Sequence, residues 1–403
     1  MTSSADTSVS SGITDPGLRP SARIVGLDGL RGLAALFVVL HHCYLTAFPG
    51  YPRTTGPWWT GWMIYGHLAV VVFIVLSGYS LAVAPARRGW ELGGLGRYAH
   101  RRAWRILSAY WPALVLSLVM AWVFVPQPGE GEPTARSALV FGLLVQDVTG
   151  APSPNGAFWS IAIEAQLYLL LPLVLLLLRQ RGPALVLVCV AVPVLAVGTF
   201  APSVPVVDFF TRFTPQLAVG FVLGVLAAGL ARSERGRRLP LLLLAVVATV
   251  PPLVMIASAG STWTIEHYFW VDLAVLPAIA LLIAAIGAGR ARRVSGALDV
   301  APLRSLGGFS YSLYLTHAPV VVAIGALVVL PRTGTGLPAL LLMLAVALPL
   351  ALVAARLFAA LFDLPFQRHK SWSALRAAAR ARLGGSRREG APASLEEGGN
   401  WHT

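Results

Sequence analysis

Two residues of one apolar segment have types and a spacing that suit chemistry inside a membrane. The segment LDGLRGLAALFVVLHHC carries Arg31 and, eleven residues later, His42. Eleven residues make just over three helical turns, so the two side chains share one helix face, roughly 16 Å apart. A buried imidazole can act as a general base near neutral pH, and it can equally be a neutral packing residue. The residues alone leave both interpretations of His42 open.

A metal site is the third interpretation of this segment, because His41 directly precedes His42. Neighbouring side chains of a helix point about 100° apart. Nothing in the segment completes a ligand set around the two imidazoles, so we predict no metal.

Glu164 is the most conspicuous ionisable residue of another apolar segment, FWSIAIEAQLYLLLP. Tyr168 follows at i, i+4 and shares its helix face. A carboxylate inside a span is costly and calls for a function, such as pairing with a histidine, holding an acceptor hydroxyl or neutralising an arginine. We expect Glu164 in the outer third of the bilayer.

Hydroxyl groups recur in two further apolar segments. Ser77 lies about halfway along HLAVVVFIVLSGYSLA, where a close helix contact and a nucleophile are the alternatives. The segment GGFSYSLYLTHAP places Ser310, Tyr314 and His317 at i, i+4, i+7. This polar stripe is typical of either an interior packing face or the wall of a pocket.

Arg102 and Arg105 lie at i, i+3 on one face where a third apolar helix begins, in RYAHRRAWRILSAYWP. Arginine beside a span is often a topology anchor. A pair on one face can also hold phosphates through the bidentate guanidinium fork. Charge alone favours neither function.

Long apolar segments must position these residues, since the 403-residue chain is 56% hydrophobic and only 12% charged. Segments near twenty residues suffice to cross a bilayer as helices. We therefore predict an all-α, polytopic transmembrane bundle of about ten spans. The candidate spans are residues 32–48, 67–84, 106–125, 158–178, 183–200, 213–230, 240–258, 271–288, 309–330 and 338–361. Residues 137–148 are apolar but too short to cross, which indicates a re-entrant or interfacial segment.

The basic residues predict the orientation of the bundle. Placing both termini in the cytoplasm puts 26 of the 31 Lys and Arg residues on that side and four outside. The domain prediction is a disordered cytoplasmic tail (1–22), a membrane domain (23–366) and a cytoplasmic C-terminal tail (367–403). We attribute the net charge of +14 to the cytoplasmic loops, and expect no nucleic-acid partner. A multi-pass protein of the bacterial cytoplasmic membrane is the predicted location, with the bilayer itself as a partner.

Five strings, in this order, resemble acyltransferase family 3, the integral membrane O-acyltransferases that include O-antigen acetylases and macrolide acyltransferases. The strings are LDGLRGLAALFVVLHHC, VVFIVLSGYSLA, RRAWR, FWSIAIEAQLYLLLP and SYSLYLTHAPV. The resemblance runs from about Arg23 to Phe362. It implies transfer of an acyl group, often acetyl, from cytoplasmic acyl-CoA to a hydroxyl of a sugar or polyketide acceptor.

The resemblance also implies roles for single residues. The family's R-x10-H motif falls on Arg31 and His42, which together with Glu164 become the predicted catalytic group. Its R-x-x-R motif falls on Arg102 and Arg105, the predicted acyl-CoA-binding residues. We predict that the acceptor site includes residues that share these motifs or faces: Asp28, Ser77, Tyr168, Tyr314 and His317. The family's Ser-Gly-Phe motif has tyrosine, Tyr79, in its third position.

Two alternatives remain at this stage. Many family members carry an extracytoplasmic esterase-like domain, and the sequence shows none, so we expect the chain to act alone or with a separate acceptor-side protein. A transporter of a small carboxylate or glycoconjugate also fits ten spans with polar mid-membrane residues. Transporters often consist of two related halves, and no such similarity is evident between the halves of this chain.

Overall fold

The computed structural model describes residues 23–53, 56–369, 371–377 and 380, and these residues form helices and loops without a strand. Ten long helical segments dominate the bundle. They are α1 (Leu27–Ala47), α2 (His67–Ala86), α3 (Leu95–Val123), α4 (Trp159–Arg181), α5 (Pro183–Phe200), α6 (Gln216–Leu230), α7 (Leu241–Glu266), α8 (Tyr268–Gly287), α9 (Ala301–Thr333) and α10 (Leu337–Arg368).

The predicted fold class is confirmed. Nine of the described helices are long and apolar enough to cross a membrane, and a tenth span forms if Pro205–Phe213 and α6, bent by 47°, count as one. The chain is therefore a multi-pass membrane protein. Its predicted orientation stays a prediction.

Helix α3 begins at Leu95, eleven residues before the predicted start of the third span. Gly93 and Gly94 adopt positive φ angles and separate α3 from the preceding turn. The first turns are rich in arginine, so hydropathy alone misses them. Arg102 and Arg105 consequently lie well inside a helix rather than at its start.

Small residues let the helices of the bundle approach closely, as is common in membranes. A Cβ atom on Gly307 of α9 would collide with the backbone carbonyl of Asp28 in α1. The same holds for Gly78 of α2 against Phe221 of α6, and for Gly224 of α6 against Val75 of α2. These contacts fix α1 to α9 and α2 to α6.

Residues 137–148 form parts of two short helices, Ala135–Gly142 and Gln146–Thr149, so they do not cross as a single helix. The predicted N-terminal tail, 1–22, lies outside the described residues, as does most of the predicted tail 367–403. The single membrane domain stays a prediction.

Replacing Gly307 tests the contact between α1 and α9. We expect Gly307→Ala to lower the free energy of unfolding by about 1–3 kcal/mol, because the added methyl group meets the Asp28 carbonyl. Thermal unfolding in detergent measures the effect. Gly308→Ala is the matched control, since a Cβ at that position meets no atom within 4 Å. Equal stability of both variants would contradict this description of the contact.

Candidate functional site

A cavity of about 500 Å³ lies among α1, α2, α3, α4 and α9, and its volume is typical of small-molecule sites. We call it the arginine cavity. The charged and hydroxyl-bearing residues of its lining are Asp28, Arg31, Ser77, Ser80, Arg102, Arg105, Ser160, Glu164, Tyr168, Ser310, Tyr311 and Tyr314. The structure thus brings together all the predicted site residues except His42 and His317.

Arg31 is held at the start of α1 by two neighbours. Its guanidinium pairs with Asp28 at 3.2 Å and donates a hydrogen bond to Ser80 at 2.5 Å. Asp28 also pairs with Arg23 at 2.8 Å. Because Asp28 is engaged by two arginines, its geometry suits positioning of Arg31 better than direct contact with a substrate.

Arg105 is neutralised by a carboxylate that the sequence analysis did not single out. The guanidinium lies 2.5 Å from Asp363 of α10, whose side chain is only 1% exposed. Asp363 also accepts hydrogen bonds from Ser312 at 3.0 Å and Gln367 at 2.9 Å. The signal that reveals Asp363 is an acidic residue within a final apolar segment, LFDLP.

Arg102 differs from Arg105 in having no ion-pair partner among the described residues. Its Nε atom is buried without a hydrogen bond to any of them, and its guanidinium lies 6.0 Å from the Tyr168 ring centroid. An unmatched cation in a cavity wall attracts an anion. Of the two arginines, Arg102 is therefore the better anion ligand.

Ser77, Glu164 and Tyr168 form a hydrogen-bonded triangle deeper in the arginine cavity. The Ser77 hydroxyl donates to Glu164 at 2.9 Å, the Tyr168 hydroxyl donates to Glu164 at 2.5 Å, and the two hydroxyls lie 2.9 Å apart. The carboxylate is thus satisfied by hydroxyl donors. This arrangement leaves Ser77 next to a proton acceptor.

The expected position of Glu164 in the outer third is wrong. Glu164 lies level with Ser77, near the middle of α2, because the turn before α4 dips into the bundle. Asn155 and Phe158 in this turn are fully buried, and Asn155 donates to the Leu315 carbonyl of α9 at 2.8 Å. A loop that enters the bundle leaves no hydropathy signal.

Tyr314 connects the arginine cavity with the histidines. It lines the cavity, its hydroxyl lies 2.6 Å from the Ser160 hydroxyl, and its ring centroid lies 5.8 Å from that of His317. His317 is fully buried and its ring centroid lies 4.9 Å from that of His42. The polar stripe of α9 therefore faces the interior, as predicted.

His42 of α1 lies between the rings of two other histidines. Neither of its ring nitrogens makes a hydrogen bond within the described part of the chain, and its ring contacts are with His41 and His317. A histidine that served only packing would have its nitrogens satisfied. A general base needs such a free nitrogen, and the role of His42 stays a prediction.

Comparison with known proteins gives the class and then the family of the chain. The fold and the cavity define a multi-pass membrane protein with an arginine-lined cavity. The family model described as "Acyltransferase domain" matches residues 24–356. The chain belongs to this acyltransferase family.

Curated relatives agree with this assignment. O-acetyltransferase OatA of Staphylococcus aureus is 25% identical over 331 residues, which cover 75% of this chain and 51% of that protein. Acyltransferase MdmB of Streptomyces mycarofaciens is 27% identical over 324 residues, covering 74% and 79% of the two proteins. Peptidoglycan O-acetyltransferase OatA of Listeria monocytogenes is 25% identical over 329 residues, covering 74% and 49%. The alignments span about half the length of the two OatA proteins. No solved structure matches the chain significantly.

The two arginines of α3 should respond differently to truncation. We expect Arg105→Ala to lower the free energy of unfolding by about 2 kcal/mol, since Asp363 then keeps only neutral donors. Arg102→Ala should leave stability within about 0.5 kcal/mol of the wild type. Thermal unfolding of both variants in one detergent makes the comparison. A similar loss in both variants would rule out the asymmetry.

Proposed function

We propose that the protein is a membrane O-acyltransferase that moves an acyl group, acetyl in the simplest case, from acyl-CoA to a hydroxyl of a carbohydrate or macrolide-type acceptor. The observation that carries the proposal is the arginine cavity. It begins at Arg31, Arg102 and Arg105 and reaches Tyr314, whose ring contacts His317. The ring of His317 in turn contacts that of His42.

Acyl-CoA suits this cavity because its charge is concentrated at one end. Arg102 is the unmatched cation that attracts the phosphates, and Arg31 lines the same cavity. The narrow pantetheine arm then extends along Ser77 towards Tyr314, which brings the thioester close to the histidines. The predicted orientation of the bundle places the entrance on the cytoplasmic side, where acyl-CoA is found.

His42 is the general base in this proposal. It takes the proton of the acceptor hydroxyl, the oxygen attacks the thioester carbonyl, and the carbon–sulfur bond breaks to release the CoA thiolate. Glu164 holds Ser77 and Tyr168 in the cavity wall. The covalent variant places the acyl group first on His42 or on Ser77. A burst of CoA release without acceptor would select that variant.

The relatives support the acceptor class without fixing it. Two carry the name O-acetyltransferase OatA, one of these with peptidoglycan in its name, and a third is called Acyltransferase MdmB. The two O-acetyltransferase names imply transfer to an oxygen, which a hydroxyl group of the acceptor supplies. The cell membrane of a bacterium is the location that fits such an acceptor.

Replacing His42 tests the general base. We expect His42→Ala to slow transfer from acetyl-CoA by about 10²- to 10⁴-fold while the folded protein still binds CoA. Release of free thiol, measured with N-acetylglucosamine oligomers and a macrolide as probe acceptors, follows the reaction. His267→Ala is the control, because His267 lies outside the cavity and stacks on Trp263. Activity near that of the wild type in His42→Ala would contradict the proposed role of His42 as general base.

Donor binding is tested at Arg102. We expect Arg102→Ala to raise KM for acetyl-CoA by about tenfold with a smaller change in kcat, since the guanidinium binds the donor phosphates before and during transfer. Arg101→Ala is the matched control. Arg101 precedes Arg102 in the chain, but its side chain is exposed and does not line the cavity. An unchanged KM in Arg102→Ala would refute the assigned binding role.

A further inference from the structure

A buried carboxylate lies at the end of the bundle where α2 begins. Asp272 of α8 is fully buried, and both of its oxygens lie within 3.0 Å of Nε2 of His67. Gln216 of α6 donates to the same carboxylate at 3.1 Å. The ring of His67 stacks between Tyr268, with centroids 4.1 Å apart, and Trp159, at 5.7 Å. None of these residues has a role in the acyl transfer proposed above.

The cluster lies at the opposite end of α2 from the arginines. His67 is the first residue of α2, and Ser80, which accepts from Arg31, lies thirteen residues further along. Thirteen residues of helix span roughly 20 Å. The side chain of His67 is 15% exposed, so this end of the bundle also opens to its surroundings.

A row of imidazoles links the cluster to His42. The ring of His41 lies against Gly66, the residue that directly precedes His67. The centroids of His41 and His42 are 5.3 Å apart, and those of His42 and His317 are 4.9 Å apart. Four histidines of three helices therefore lie one after another in the bundle: His67 of α2, His41 and His42 of α1, and His317 of α9.

Contacts with backbone carbonyls and with Asp272 determine which ring nitrogens of these histidines carry a hydrogen and which keep a lone pair. Nδ1 of His41 lies 2.9 Å from the Met63 carbonyl, and Nδ1 of His317 lies 2.8 Å from the Tyr314 carbonyl. A carbonyl only accepts, so each Nδ1 carries a hydrogen and each Nε2 keeps a lone pair. The Nε2 atom of His317 is buried without a hydrogen-bond partner among the described residues. Nε2 of His67 faces Asp272, which leaves its Nδ1 free.

In the proposed reaction, a positive charge forms on His42. A proton that His42 takes from a hydroxyl creates an imidazolium between two other histidines, and no carboxylate of the described residues pairs with it. An unpaired charge in such a site is costly. Asp272 is a fully buried carboxylate, and the titratable groups that face it are His67 and Tyr268. Tyr268 in turn faces Tyr51 and Tyr65.

We propose that His41, His67 and Asp272 form a proton path that leads the acceptor's proton away from His42. The proposal rests on the acyl-transfer function. The hydroxyl O–H bond breaks and its proton passes from His42 through His41 to the His67–Asp272 pair, which releases it to water at that end. The thioester C–S bond breaks as the ester C–O bond forms, and the thiolate takes a proton from water at the arginine end. One proton is released and one is taken up in each turnover.

Replacing His67 tests the path. We expect His67→Ala to lower kcat about ten- to a hundredfold with an unchanged KM for acetyl-CoA, because the donor site is distant. Imidazole added to the assay should restore much of the lost kcat, since the position is partly open. A structural role of His67 would not produce this rescue. A folded His67→Ala protein with wild-type kcat, or a loss that imidazole does not restore, overturns the proposal.

Asp272→Asn provides the second arm, because it keeps the shape of the side chain and removes its charge. We expect a similar loss of kcat and a changed pH profile of kcat, with the melting temperature recorded for each variant. Wild-type kcat and pH profile in this variant also overturn the path. His267→Ala is the matched control at the same end of the bundle.

His42→Ala separates the two proposals. If this variant keeps wild-type transfer, the proposed function fails. If it is inactive while His67→Ala and Asp272→Asn behave as wild type, the proton path alone fails.

Discussion

The ion pair between Arg105 and Asp363 is the interaction on which the arginine cavity depends. It joins α3 to α10, and Ser312 of α9 donates to the same carboxylate. The centroid of the Tyr311 ring of α9 lies 4.9 Å from the Arg105 guanidinium, which adds a second contact between α3 and α9. A charge inside a membrane bundle is tolerated when it is paired, so this contact fixes the position of α3. It thereby places Arg102 in the cavity wall without a partner of its own.

The same constraint organises the rest of the polar interior. Arg31 is paired with Asp28, Glu164 accepts from two hydroxyl groups, and Asp272 is held by His67 and Gln216. Arg102, His42 and Nε2 of His317 are left without such partners in the described part of the chain. Since unpaired groups of this kind are costly to bury, they are the ones available for an anion and for a proton.

Much of the fold follows from the sequence because a span needs a long apolar segment. The segment lengths predicted ten spans, and the turn-by-turn spacing placed Tyr314 and His317 on the interior face of α9. The start of α3 was missed because arginine-rich turns have no apolar signal. The depth of Glu164 was missed because the loop before α4 enters the bundle, and such a loop has no apolar signal in the sequence.

The sequence predicts individual residues of the candidate site, but it does not predict which of them form ion pairs or hydrogen bonds with each other. Motif positions predicted Arg31, Arg102 and His42, yet the sequence gives equal standing to Arg102 and Arg105. Their difference depends on Asp363, some 260 residues away along the chain. The His67–Asp272 contact likewise joins residues 205 positions apart. Contacts of this kind are set by helix packing, which one sequence does not reveal.

The central claim is that CoA enters the arginine cavity with its thiol end towards the histidines. A cryo-electron microscopy structure of the protein with bound CoA tests this claim most directly. We expect phosphate density at Arg102 and the pantetheine arm running past Ser77, with its sulfur next to Tyr314. CoA bound outside the cavity, or with its phosphates away from Arg102, would contradict it.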